Sequence, residues 1–310
     1  MIASLRANPL RTGQLVEVRS ASEIAATLDR DGKLDGMPFM PEMARLCGRR
    51  FSVLHRADVT CVEGLGLRRL SSCVFLDELR CDGAAHDGCQ RGCLMFWKEA
   101  WLKLVEETEP ESAAPAGAAR DLPLILPTRD GDRYVCQSTA LAAATTPISR
   151  WDLRHLFTQW RDGEASAGRV LHIGKWIVTN RLRKLAGRRE LGFLAGDKLK
   201  NGKGDLGLEV GDRVVVKTPA EIETTLDPGG RNTGLTFEPD MLALAGCRLK
   251  VAQPIRKMIH EETGKMVKLT STVSLEGIVC SGAHAHNCPR ANPLFWRESW
   301  LKRDDKEQAR

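Results

Sequence analysis

Aromatic side chains are scarce in these 310 residues, 5% in all with a single tyrosine. Proteins that hold single-stranded nucleic acid lean on exposed aromatic stacking platforms, so this composition offers little for that task. No apolar run approaches the roughly 20 residues needed to cross a bilayer. The opening MIASLRANPLRTGQLVEV lacks the basic-then-apolar layout of a signal peptide, and the expected compartment is the cytoplasm. A P-loop, a G-x-G-x-x-G after a strand, a G-x-S-x-G and an H-E-x-x-H are all missing, so any catalysis is expected to run through a metal.

What the chain does have is cysteine, ten of them. In a reducing compartment these do not become disulfide staples, and metal ligation is the better use for them. A hydrophobic content of 42% and a charged content of 28% suit a globular protein of two or three cores, since domains usually run to roughly 100–150 residues. The formal charge of +6 permits a polyanionic partner without arguing for one.

The sequence resembles itself. GQLVEVRSASEIAATLDRDGKLDG returns as GDRVVVKTPAEIETTLDPGGRNTG, displaced by 198 residues. Pro41-Glu42-Met43 then falls on Pro239-Asp240-Met241. One extra residue shifts the offset to 199, after which Cys81 meets Cys280, Cys89 meets Cys288, and Phe96-Trp97 meets Phe295-Trp296. Self-similarity over such a span reads as duplication. The expected plan is a first metal-binding repeat at 10–107, a flexible Pro/Ala-rich linker at 108–130, a helical, basic middle segment at 131–206 and a second repeat at 207–306.

Each repeat opens with alternating apolar and polar residues (LVEVR; RVVVK), the period of a strand. A short helix follows, signalled by the capping boxes Ser20…Glu23 and Thr218…Glu221. RRFSVLHR and CRLKVAQPI read as further strands, and Glu262-Thr263-Gly264-Lys265 as a hairpin turn. FWKEAWLKL and FWRESWLKR place Trp97 and Trp101, and Trp296 and Trp300, four residues apart, which predicts a C-terminal amphipathic helix in each repeat with the tryptophans in the core. WDLRHLFTQW and RVLHIGKWIVTNRLRKLAGRR predict two middle helices. The fold class is α+β: tandem small β-barrel-like (SH3-like) lobes, each with a metal site and a C-terminal helix, joined by a helical segment.

Cys61 lies 20 residues before Cys81, and His260 lies 20 residues before Cys280. A Cys-to-His exchange at an aligned position is what zinc accepts, because thiolate and neutral imidazole are both good ligands for it. Cys61, Cys81, Cys89 and Cys93 would make a closed, structural four-sulfur site in the first repeat. The second offers His260, Cys280 and Cys288, with Asn292 at the position of Cys93. Either His284 or His286 closes that site, or it stays open like a catalytic zinc. Zinc is the expected cofactor, two ions per chain, with iron as the alternative. Cys47, Cys73, Cys136 and Cys247 read as small core residues. His86 reads as a residue outside the metal's own ligand set, and Glu99 and Glu298 as ligand-orienting or solvent-facing.

The PEM, C-x7-C and FWxExWL elements resemble an uncharacterised bacterial group of duplicated Cys-rich proteins across most of both repeats. That resemblance implies a fold and a metal, and no mechanism. Two function classes follow. One is a zinc-stapled scaffold engaging a partner protein or nucleic acid, with Arg181–Lys203 as either a phosphate-binding patch or a solvated face. The other is a metal-dependent protein or enzyme of a bacterial biosynthetic pathway using the open second site.

Overall fold

A computed structural model describes residues 9–105, 126–149, 151–198 and 204–304. Lys200 and Lys203 of the basic run, and most of the linker expected at 108–130, lie outside the described residues. The described chain is mixed α+β, mostly strands with few helices, in two similar sheet-rich halves. Among the described residues no helix is long and apolar enough to cross a membrane.

In the first half, Leu15–Val18 is the alternating segment, and its two valines are completely buried. It sits inside a five-stranded antiparallel sheet, between Arg50–Arg56 and Leu102–Leu104; Cys73–Leu76 and Trp97–Lys98 continue the sheet beyond Arg50–Arg56. The second half repeats this order with Arg213–Val216 between Arg248–Pro254 and Leu301–Arg303, followed by Thr272–Val279 and Pro293–Arg297. The likeness extends to detail. Register slips between Val53 and His55 and again between Val251 and Gln253, bulges that bend the strand and increase its local twist.

Both capping boxes form. Ser20 caps Ala21–Ala25 and Thr218 caps Pro219–Glu223, each with its glutamate reaching back to the cap N–H.

The expected C-terminal helices are not there. FWKEAWLKL forms the strand Trp97–Lys98, one 3-10 turn at Glu99–Trp101, and the strand Leu102–Leu104. FWRESWLKR does the same over Pro293–Arg297, Glu298–Trp300 and Leu301–Arg303. The four-residue tryptophan spacing comes from a strand that turns a corner. Both tryptophans on each corner are fully buried, and strand pairing with Leu15–Val18 or Arg213–Val216 outweighs a helix too short to stand alone. Trp101 Nε1 donates to Thr27 Oγ1 at 3.1 Å, and Trp300 Nε1 to Thr225 Oγ1 at 3.0 Å. Phe39 meets Trp101, and Phe237 meets Trp300, edge-on at 5.2 Å.

The middle helices form at Arg154–Arg161 and Ala167–Leu185, and a third at Gln137–Ala144 follows Cys136. The chain falls into two compact units: residues 1–170 with Ile259–Met266 and Cys288–Arg290, and residues 171–258 with 267–287 and 291–310. The first unit therefore takes in two short stretches from late in the sequence.

Candidate metal centre

Two groups of side chains in the described structure have the donor chemistry and spacing to hold a metal ion. Glu42, Cys81 and His86 form one, and Glu238, Cys280 and His284 the other; within each group the donor atoms lie within 4.8 Å of one another. Their construction is parallel. An acid comes from a short helix opened by proline, Pro41–Ala44 or Pro239–Leu242. The cysteine and histidine come from the loop after the strand Cys73–Leu76 or Thr272–Val279.

In the first group Glu42 Oε1 meets His86 Nδ1 at 2.7 Å, the Ala85 N–H at 3.2 Å and Cys81 Sγ at 3.7 Å. Burial opposes the Glu42 charge, but the bond and charge of His86 override it and hold the carboxyl below its ordinary range. His86 rises for the converse reason. Glu42 Oε2 is buried with no hydrogen-bond partner among the described residues, a condition that native structures seldom leave unfilled. In the second group His284 approaches Glu238 at 3.5 Å and Asp240 at 3.8 Å. Asp240 is also fixed by Ser281. Burial works against its charge, yet the bonds from His284 and Ser281 pull Asp240 down to about 2.

The cysteines share a local geometry. Cys280 Sγ accepts the Gly282 N–H at 3.3 Å, and Cys81, Cys89 and Cys288 accept from Gly83, Arg91 and Arg290, each two residues on. Burial pushes the Cys81 and Cys89 thiols up, and these N–H···S bonds offset part of that by favouring the thiolate, the form that binds a metal. Gly83 makes the first loop possible: it has φ +69°, and a side chain there would lie 2.1 Å from Cys89 O.

The ligand sets expected from the sequence are sorted differently. Cys61 stands beside Cys288, its N–H donating to Cys288 Sγ at 3.1 Å. Between those two thiols the hydrogen bond favours the Cys288 thiolate and keeps the proton on Cys61. Cys280 is with Glu238 and His284 in the second unit. His260 belongs to the first unit and its ring is engaged by Thr263 at 3.2 Å and by Glu63 at 3.6 Å. His286 follows His284 in a left-handed conformation, φ 53°, outside the Glu238 group. Aligning the halves assumes that each closes on itself, whereas 259–266 and 288–290 pack in the first unit.

Those late stretches are held by a buried ionic network. Arg290 donates to Cys61 O at 3.0 Å, Ser138 Oγ at 2.8 Å and Glu261 Oε2 at 2.6 Å. Arg91, at the aligned position, donates to Ile259 O at 3.0 Å and Glu261 at 3.2 Å. Cys89 Sγ accepts the Ile259 N–H at 3.3 Å.

Cys136, read from the sequence as core, joins Cys81, Cys89 and Cys93 in lining a cavity of about 30 Å³. It had no aligned partner, and its only sequence signal is its place immediately before a helix. Glu99 and Glu298 turn out to be anchors, Glu99 on Arg56 at 2.7 Å and Glu298 on the backbone N–H groups of Leu206, Gly207 and Leu208.

No family model, curated protein or solved structure matches this chain.

Proposed function

We propose that this chain is a zinc-binding scaffold protein, built by internal duplication, whose two SH3-like halves each gather one ion. The observation that carries the reading is the parallel between Cys81 and Cys280. Each sits in an N–H···S turn, beside a carboxylate from a Pro-opened helix and a histidine from its own loop. Zinc suits a mixed sulfur, nitrogen and oxygen donor set better than a hard cation would. The SH3-like description is supported by the strand order, in which the last strand pairs with the first after a 3-10 turn.

A structural role is favoured because each ion would tie a loop to a helix in a half that has few helices of its own. The partner surface proposed is the basic stretch from Arg181, of which Lys184, Arg188, Arg189 and Lys198 are exposed. The test is metal analysis of the purified, reduced protein. Two equivalents of zinc are expected; none would end the reading, and two of iron would change its cofactor.

One observation favours the biosynthetic metalloenzyme as a second reading, namely that the Glu238–Cys280–His284 group is only partly buried. A catalytic zinc needs such an open position. Cobalt-loaded protein whose spectrum shifts on adding a hydroxamate would support it, and an unmoved spectrum would remove it.

A further inference from the structure

The helix Ala167–Leu185 carries apolar side chains on two faces. Ile173 and Ile177 are buried on one, with Asn180 beside them. Its C-terminal end is fixed locally: Asn180 Oδ1 accepts the Leu191 N–H at 2.8 Å, Arg183 Nε donates to Arg189 O at 2.8 Å, and Arg189 donates to Pro228 O at 3.2 Å. On the other face Leu171, Val178, Leu182 and Leu185 stand between 53% and 85% exposed.

These four side chains form a line. At about 100° per residue they fall within an arc of about 60°, turned away from Ile173 and Ile177. Gly174 lies at the edge of the same stripe, and a side chain there would meet nothing within 4 Å, which leaves room for another backbone to come close. Leu171 and Leu182, and likewise Gly174 and Leu185, are eleven residues apart. That period is close to the winding of a straight helix, so the stripe runs along the axis without drifting and suits one helix laid beside it. A row of exposed apolar side chains rimmed by polar ones marks an interaction surface.

Charge decides what that second helix must be. From Ala167 to Arg189 there are seven basic residues and no acidic one. Lys175 and Arg181 flank the stripe on its two sides, and Arg188 and Arg189 stand exposed beyond its end. Nucleic acid would meet these cations and leave the leucines in water. A second copy of the chain would set like charges against each other. A lipid surface takes a helix with a broad apolar face and aromatic anchors, whereas this stripe is narrow and Trp176 lies off it, half-buried.

We propose that the stripe from Leu171 to Leu185 docks an amphipathic helix of a partner protein, apolar along its seam and lined with glutamate or aspartate at its edges. The inference deepens the scaffold reading above, on which it rests for the existence of a protein partner. The leucines and Val178 supply the buried anchors, and the basic residues select an acidic helix over a basic one.

The experiment uses the full, zinc-loaded chain and a fluorescent synthetic helix about three heptads long, with leucine on its seam and glutamate at the flanking positions. Anisotropy should rise on adding the protein and fall back as salt is raised. Val178→Asp or Leu182→Asp should weaken binding at least about tenfold, the loss of one buried anchor. Leu65→Asp, at an exposed leucine away from this helix, should leave the affinity unchanged. Lys175→Glu combined with Arg181→Glu should lose the glutamate peptide and gain one with lysine at the same positions. Leu182→Ala tests the same contact should an aspartate variant fail to fold. Equal binding of both peptides by the wild type, or full affinity in Val178→Asp and Leu182→Asp, would overturn the proposal. So would binding confined to phosphatidylserine vesicles or to duplex DNA, or a dimer in light scattering that Leu182→Asp dissociates. Zinc in the protein with no peptide binding would sink the docking face alone. Peptide binding with the expected variant pattern in a protein that takes up no zinc would sink the zinc reading alone.

Discussion

The Cys61 N–H donates to Cys288 Sγ at 3.1 Å, joining residues separated by 227 positions in the chain. Arg290 fastens the same junction by donating to Cys61 O. Replacing Cys288 with alanine removes a buried acceptor and strands the Cys61 N–H, a loss of about 1–3 kcal/mol. Chemical denaturation of the variant should show a lower midpoint. Cys247→Ala, at an exposed cysteine, is the control and should leave the midpoint where it was.

Glu261 neutralises Arg290 and Arg91 and accepts from Ser138. Glu261→Gln keeps the shape and removes the charge, leaving the buried Arg290 without its carboxylate and Arg91 with only Glu63 at 3.4 Å. Breaking a buried pair in this way costs about 3–5 kcal/mol. Hydrogen exchange should show the loss at residues 59–63 and 259–266 first; uniform loss of protection throughout the chain would contradict this account of the network.

The two metal groups differ in cover. Glu42 and His86 are 3% and 1% exposed, Glu238 and His284 38% and 17%. A chelator should therefore remove zinc in two phases, the early one from the second group. Cys280→Ser should abolish the early phase and spare the late one. A single phase in wild type would show that access does not control release.

Glu164 accepts from Thr12 at 2.6 Å and meets His55 at 3.2 Å. Burial raises its pKa, but bonds from His55, Thr12 and the Arg56 N–H outweigh that and lower it below the ordinary 4.5. A depressed carboxylate stabilises the fold fully above its unfolded value, and that contribution disappears as pH falls through the lowered folded value. Glu164→Gln should flatten the decline of unfolding free energy between about pH 5 and about pH 3. An unchanged slope would mean that other carboxylates carry the acid response.

Ser20→Ala and Thr218→Ala each remove an N-cap acceptor at the same place in the two halves. Each should cost about 1 kcal/mol. Glycine at either position should recover most of that, and failure to do so would point to side-chain packing.

The caps were legible because a capping box is a local rule, confined to four residues, and both were read at Ser20 and Thr218. The strands around Val16 and Val214 were legible from their two-residue period. The FWKEAW corner misled because a strand that bends through one 3-10 turn returns its tryptophans to the core with helical spacing. The cysteines were recognised as a class, yet their grouping was not, since sequence alignment pairs Cys61 with His260 while folding pairs it with Cys288. Cys136 has no aligned counterpart, and only three-dimensional proximity to Cys89 and Cys93 marks it.

The stretches 259–266 and 288–290 contribute to the first unit, and this sets a timetable for synthesis. As the chain leaves the ribosome, the strand at Val59–Val62 emerges long before Ile259, Glu261 and Arg290 exist to cover it. Domains commonly fold from the N-terminus as they appear, but here the Glu63 N–H, the Cys89 sulfur and the half-buried Arg91 wait for residues translated 198, 170 and 168 positions later. A nascent chain stalled before residue 259 should expose Cys61 and Cys89 to a thiol-labelling reagent, and one released beyond residue 290 should protect both.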